Sequence, residues 1–149
     1  MSHRKVDIRT VSVLPHLSIR EAVKVLNEGH KRIVCVVDAV GKLSGVVADS
    51  DIRRAILASV DFSLPVSSIM KTNPVVAREY QTEKEVLDLM SATTCYEIPV
   101  LDASGIVIDL ITIQEVLDAQ TMPHVVVMAG GRGQRLAPLT DTLPKPLIE

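Results

Sequence analysis

A mixed α/β fold, two copies of one β-α-β-β-α unit in tandem, is what three observations in this sequence predict. The first is an ungapped near-repeat at a spacing of 64 residues. Ser18-Ile19-Arg20-Glu21 returns as Thr82-Glu83-Lys84-Glu85, and Ala48-Asp49-Ser50-Asp51-Ile52 returns as Thr112-Ile113-Gln114-Glu115-Val116. A repeat of this length is one supersecondary unit made twice, each copy covering the apolar face of the other. The second is a capping box in each copy, a hydroxyl followed three residues later by Glu. The third is a turn of the form Asp-x-x-Gly between two aliphatic runs: Asp38-Ala39-Val40-Gly41, then Asp102-Ala103-Ser104-Gly105.

Taken in order, copy one spans residues 6–58 and copy two residues 74–121, with a linker at 59–73. Each copy opens on a short β-like segment, Val11-Ser12-Val13 and Val75-Val76-Ala77. A helix follows, started by Ser18 with Glu21 and by Thr82 with Glu85: the hydroxyl accepts a helix-start N–H and the Glu reaches back to the cap. Apolar residues then recur at helical spacing, Ile19, Ala22, Val23 and Leu26 in copy one, Val86, Leu89 and Met90 in copy two. Gly29 is placed to stop the first helix. Two strands come next, Ile33 to Val37 with Leu43 to Val47, and Ile98 to Leu101 with Ile106 to Ile111; Asp at the start and Gly at the end suit the turns between them. A second helix closes each copy, Ser50 to Ala58 and Ile113 to Ala119. The linker carries Pro65, and Pro74 follows it.

The composition bounds the function. With 149 residues the chain can bury a sizeable core. Apolar residues are 47% and aromatics 2%, so that core is aliphatic. A net charge of −2 and the shortage of aromatic stacking platforms argue against a nucleic-acid binder. The longest apolar runs fall far short of the roughly 20 residues a membrane span needs, and the polar start Met1-Ser2-His3-Arg4-Lys5 does not read as a signal peptide. Cys35 and Cys95 lie outside any CxxC or Cys/His spacing, which reads as reduced structural thiols in a cytoplasmic protein. The four histidines have no metal-ligand spacing, and no G-x-S-x-G elbow is present.

Over residues 6–121 the tandem unit resembles the cystathionine-β-synthase (CBS) domain, and the pair resembles a Bateman module. The motifs carrying the resemblance are Pro65-Val66-Ser67-Ser68-Ile69-Met70, Ile98-Pro99-Val100-Leu101-Asp102 and Gly45-Val46-Val47-Ala48-Asp49-Ser50-Asp51. The resemblance implies a nucleotide site between the copies. In it, a small residue or a Ser or Thr, and an Asp three residues on, hold a ribose at a strand-to-helix junction; a carboxylate can accept from both ribose hydroxyls, and the helix start favours phosphate. Copy one offers Asp51, but with Ala48 in place of the hydroxyl. Copy two offers Thr112, but with Glu115 in place of Asp. Basic residues separate the copies: His30-Lys31-Arg32 and Arg53-Arg54 stand in copy one, against Thr94-Cys95-Tyr96 and Leu117-Asp118 in copy two. An anionic ligand, an adenine nucleotide by the resemblance, is therefore expected nearer copy one, at Asp51, Arg53 and Arg32. The competing reading is that Asp51 caps its helix and the arginines form a solvated face.

From Pro123 the character changes. His124-Val125-Val126-Val127-Met128 reads as a buried strand, and it runs into Gly130-Gly131-Arg132-Gly133-Gln134-Arg135-Leu136. Glycines there let backbone N–H groups approach phosphate oxygens. Neither a P-loop nor a complete dinucleotide fingerprint is present. With Pro138-Leu139-Thr140 and Pro144-Lys145-Pro146, residues 124–149 resemble the start of a sugar-1-phosphate nucleotidyltransferase. That resemblance implies that Gly131 and Gly133 wrap a nucleoside triphosphate, and that Arg135 and Lys145 neutralise charge during attack on the α-phosphorus, with Mg²⁺ bridging. The expected whole is a regulatory pair attached to a catalytic domain that continues beyond Glu149, the fragment itself being catalytically incomplete and its partner a second copy. The alternative is a purely structural dimerisation module with vestigial pockets.

Overall fold

The computed structural model describes residues 6–120. Copy one consists of β1 (Ser12–Val13), α1 (Ile19–Glu28), β2 (Ile33–Val37), β3 (Leu43–Ala48) and α2 (Asp49–Leu57). Copy two consists of β4 (Ala77–Arg78), α3 (Glu83–Thr93), β5 (Glu97–Leu101), β6 (Val107–Thr112) and α4 (Ile113–Gln120). Each copy forms its own three-stranded sheet, ordered β1-β2-β3 and β4-β5-β6. The outer pairs β1·β2 and β4·β5 are parallel, and the hairpins β2·β3 and β5·β6 antiparallel. The fold is the mixed α/β tandem that the repeat predicts.

Local chemistry accounts for the elements. Ser18 Oγ accepts from the Glu21 N–H at 3.3 Å while Glu21 Oε2 accepts from the Ser18 N–H at 2.8 Å. Thr82 and Glu85 repeat this at 3.4 and 2.8 Å, so both first helices start on complete capping boxes. In the turns, Asp38 Oδ1 accepts from the N–H groups of Val40 and Lys42, and Asp102 Oδ1 from those of Ser104 and Ile106. Gly41 and Gly105 take φ of +87° and +86°, where a side chain would be strained.

Two details differ from the sequence expectation. The first strand of copy two is Ala77–Arg78 rather than Val75–Ala77, because the residues that pair with β5 are Ala77, opposite Val100, and Arg78, opposite Leu101. Gly29 does end α1, but in right-handed backbone (φ −72°); the left-handed residue is His30 (φ 50°), with Thr94 (φ 55°) its counterpart in copy two. What Gly29 supplies is space. A Cβ there would lie 3.0 Å from the Thr10 carbonyl oxygen and 3.2 Å from Val11 Cγ1.

The copies share a core. Val11, Cys35 and Val37 of copy one pack with Leu101, Val107 and Leu110 of copy two. The hairpin tips are stitched edge to edge: the Leu43 N–H donates to the Gly105 carbonyl and the Val107 N–H to the Gly41 carbonyl, both at 3.1 Å. Glu97 closes the seam from the other side, accepting from the N–H groups of Arg32 (2.7 Å) and Ile33 (3.2 Å). Burial holds the Glu97 carboxyl above its ordinary range, against the opposing pull of these two N–H donors and the nearby Lys31 and Arg32 cations.

The segment between the copies packs back on copy one. The Val66 N–H donates to the Leu17 carbonyl at 2.7 Å, and Val66 is fully buried beside Ala22 and Val47. Sealing a valine this way stabilises by about 1.5–3 kcal/mol. Further along, Lys71 and Val46 exchange backbone hydrogen bonds at 2.8 and 3.0 Å. Gly45 permits this approach, since a Cβ there would sit 2.5 Å from the Lys71 carbonyl oxygen.

Candidate ligand cleft

The end of β3, the start of α2 and the start of β5 meet around a cleft of about 600 Å³. Its cations are Arg32 from the start of β2, Arg53 from α2 and Lys71 from the linker; Thr94, Cys95, Tyr96 and Glu97 face them from copy two. The Asp49 N–H donates to the Arg32 carbonyl at 3.1 Å, which holds the first turn of α2 against the start of β2. The Arg32 guanidinium carbon lies 5.8 Å from the centroid of the Tyr96 ring, within cation–π range. The volume suits a small molecule of nucleotide size. Three cations stand against the carboxylates of Asp49 and Glu97, and that of Glu97 already accepts two backbone N–H groups.

Of the residues singled out in the sequence, Arg32 and Arg53 line this cleft together. Asp51 does not. It is buried, its Oδ2 accepts from the Ala48 N–H at 2.8 Å, and its Oδ1 is bound by the Arg54 guanidinium. It lines a neighbouring hollow of about 320 Å³, and Lys71 borders both spaces. Asp51 thus makes the return half of a capping box whose other half is missing, because Ala48 has no side-chain acceptor. In copy two the box is complete: Thr112 Oγ1 accepts from the Glu115 N–H at 3.3 Å, and Glu115 Oε2 accepts from the Thr112 N–H at 2.7 Å. Glu115 also pairs with Lys31 across the copies at 3.8 Å. Gly131, Gly133, Arg135 and Lys145 lie outside the described residues.

Sequence reasoning passed over Lys71 and Tyr96. The signal for Lys71 was present: it follows Ile69-Met70, and Gly45 is the small residue that lets this segment lie against β3. Among the described residues no group of three or more His, Cys, Asp or Glu side chains is arranged to hold a metal ion. No helix among them is long and apolar enough to cross a membrane.

The family model described as CBS domain matches the chain twice, at residues 5–58 and 66–121. The chain belongs to the CBS-domain family. A second model, described as nucleotidyl transferase, matches residues 124–149. A CBS domain-containing protein of Dictyostelium discoideum is 35% identical over 111 residues, which cover 65% of this chain and 74% of that protein. Inosine-5'-monophosphate dehydrogenase of Methanocaldococcus jannaschii is 29% identical over 85% of this chain, and the match spans only 24% of that enzyme. Among solved structures, CBSX2 in complex with AMP superposes with a TM-score of 0.63 at 28% identity, covering 73% of this chain and 85% of that one. The CBS domain pair of protein MJ0100 in complex with 5'-methylthioadenosine and S-adenosyl-L-methionine gives a TM-score of 0.66 at 25% identity, covering 74% and 86%. The CBS pair therefore accounts for the two sheets and their shared core.

Proposed function

We propose that this CBS pair is a regulatory module that binds one adenine nucleotide in the cleft between its copies and tunes an attached sugar-1-phosphate nucleotidyltransferase. The observation that carries the reading is the convergence of Arg32, Arg53 and Lys71 on one cleft faced by the Tyr96 ring. Arginines suit phosphate oxygens because they can donate in pairs, and Lys71 adds a point charge. The tyrosine offers a face on which a base can stack. Relatives of this fold that hold AMP, or 5'-methylthioadenosine with S-adenosyl-L-methionine, support an adenine compound as the ligand.

The attached activity rests on residues 124–149, which match a family model described as nucleotidyl transferase and whose motifs resemble the start of such a domain. In that domain Gly131 and Gly133 would approach a nucleoside triphosphate, with Arg135 and Lys145 neutralising charge and Mg²⁺ supplied by the rest of the domain. Regulation follows if the ligand binds two arrangements of the pair unequally, because the cleft is built from both copies and any change in their spacing changes its width. Calorimetry with AMP, ADP and ATP tests the reading: the chain should bind, and Arg32→Ala with Arg53→Ala should lose most of the heat. No heat with any of the three would refute it.

A second reading, pairing of two chains, is favoured by Ile56 (58% exposed) and Leu57 (85% exposed) on the outer side of α2, with Leu117 (42% exposed) on α4. It is compatible with the first. Light scattering should give twice the chain mass, and Leu57→Glu should return the monomer.

A further inference from the structure

Four carboxylates stand at the ligand cleft or at the strand-to-helix junctions of the two copies, and three of them are committed to the fold. Asp51 accepts from the Ala48 N–H through Oδ2, is bound by the Arg54 guanidinium through Oδ1, and faces the neighbouring hollow rather than the cleft. Glu115 closes the capping box with Thr112 and pairs with Lys31 across the copies. Glu97 accepts from the N–H groups of Arg32 and Ile33 and so holds the seam. Asp49 is the fourth. It lines the cleft, and its backbone N–H is spent on the Arg32 carbonyl. Arg53 stands four residues on along α2 and lines the same cleft, a spacing at which opposite charges commonly pair. The ion pairs among the described residues join Lys31 to Glu115 and Arg54 to Asp51, and Asp49 belongs to neither.

We infer that Asp49, and not Asp51, reads the ribose hydroxyls of the ligand; the inference rests on the nucleotide reading of the cleft and names its specificity-determining residue. A carboxylate beside a bound phosphate repels it, so its presence in this cleft calls for hydrogen-bond donors on the ligand. The 2′- and 3′-hydroxyls of a ribose are such donors, and one carboxylate can accept from both. Position along α2 selects the sugar over the base. Asp49 and Arg53 lie one helical turn apart on one face, with Cβ atoms about 5–6 Å from each other. A phosphate held by Arg53 therefore leaves the neighbouring group of a nucleoside 5′-phosphate, its ribose, beside Asp49. The amino group of adenine lies at the far edge of the base, toward Tyr96 of copy two. Asp51 cannot take this role while its two oxygens remain engaged, since freeing them would leave the Ala48 N–H without its acceptor.

Calorimetry of the full chain with AMP and with 2′-deoxyadenosine 5′-monophosphate tests the assignment. The parent should bind AMP about tenfold more tightly than the deoxy compound, the loss expected when one hydrogen bond to a charged acceptor is removed. Asp49→Ala should weaken AMP by about tenfold or more and bring the two affinities to within about threefold of each other. Asp51→Asn should keep the parent's ratio, whatever it does to the melting temperature. Equal affinities in the parent would overturn the inference while leaving the nucleotide reading intact, and need no variant to fold. A ratio that survives in Asp49→Ala would overturn it as well, and with a lowered melting temperature would make Asp49 a stabiliser of the α2 start. A ratio lost in Asp51→Asn alone would return the ribose to Asp51. No heat with AMP in the parent would overturn the inference together with the nucleotide reading on which it rests.

Discussion

Replacing Gly45 by alanine adds one methyl group where the backbone of the linker lies flush on β3. The new Cβ would stand 2.5 Å from the Lys71 carbonyl oxygen and 3.0 Å from Met70 Sδ. The sulfur can swing aside, but the carbonyl belongs to a segment held by two hydrogen bonds to Val46 and by buried Val66. Relief requires the linker to lift by about an ångström, which breaks both bonds. Overpacking of this kind destabilises by about 1–3 kcal/mol, and two lost hydrogen bonds add about 0.5–1.5 kcal/mol each. We expect Gly45→Ala to lose about 2–6 kcal/mol, a fall in Tm of roughly 6–24 °C for a domain of this size. Thermal unfolding followed by circular dichroism measures it. Since Lys71 borders the cleft, nucleotide affinity should fall in the same variant. A Tm within about 2 °C of the parent, less than 1 kcal/mol would produce, would refute the claim that the linker is packed as a structural part of copy one.

Three further outcomes follow from the same contacts. Ala48→Thr supplies the acceptor missing from the start of α2 and should raise stability by about 0.5–2 kcal/mol, read by urea unfolding. Burial and the neighbouring Glu97 carboxylate push the Cys35 thiol up to about 12, so at mildly alkaline pH a thiol reagent should titrate one thiol per native chain, that of Cys95, and the second only after denaturation. Glu97 has a folded-state pKa raised above 4.5. The folded chain therefore binds that proton more readily than the unfolded one, and the associated stability is present below the ordinary value and lost as pH rises through the raised one. Glu97→Gln should remove this decline, seen as a flatter stability profile than the parent's as pH rises above the ordinary carboxylate range.

Much of the fold was legible because its determinants are local. Capping boxes at Ser18 and Thr82 and turns ending at Gly41 and Gly105 are each set within a few residues, and repetition at a fixed spacing gave a second reading of every element. The site was legible only in part. The basic residues Arg32 and Arg53 could be marked as an anion site, but that they share a cleft with Lys71 and Tyr96 depends on how the copies dock, which no local pattern encodes. Asp51 illustrates the limit: the same Asp spacing serves a ribose contact or a helix cap, and here its carboxylate is occupied by the Ala48 N–H and the Arg54 guanidinium. The difference between the copies is also spatial. Gly45 and Asp109 occupy one position in the repeat, yet one admits a neighbouring backbone and the other binds an N–H through its side chain.

The central claim is that the two copies are not equivalent and that a single anion-binding cleft, on the side of the copy-one arginines, receives the ligand. The direct measurement is an AMP titration of isotope-labelled chain followed by amide chemical shifts. The account predicts saturation at one nucleotide per chain, with shifts centred on Arg32, Ala48, Arg53, Lys71 and Tyr96. Shifts centred instead on Gln81, Ile111 and Val116, or none at saturating AMP, would contradict it.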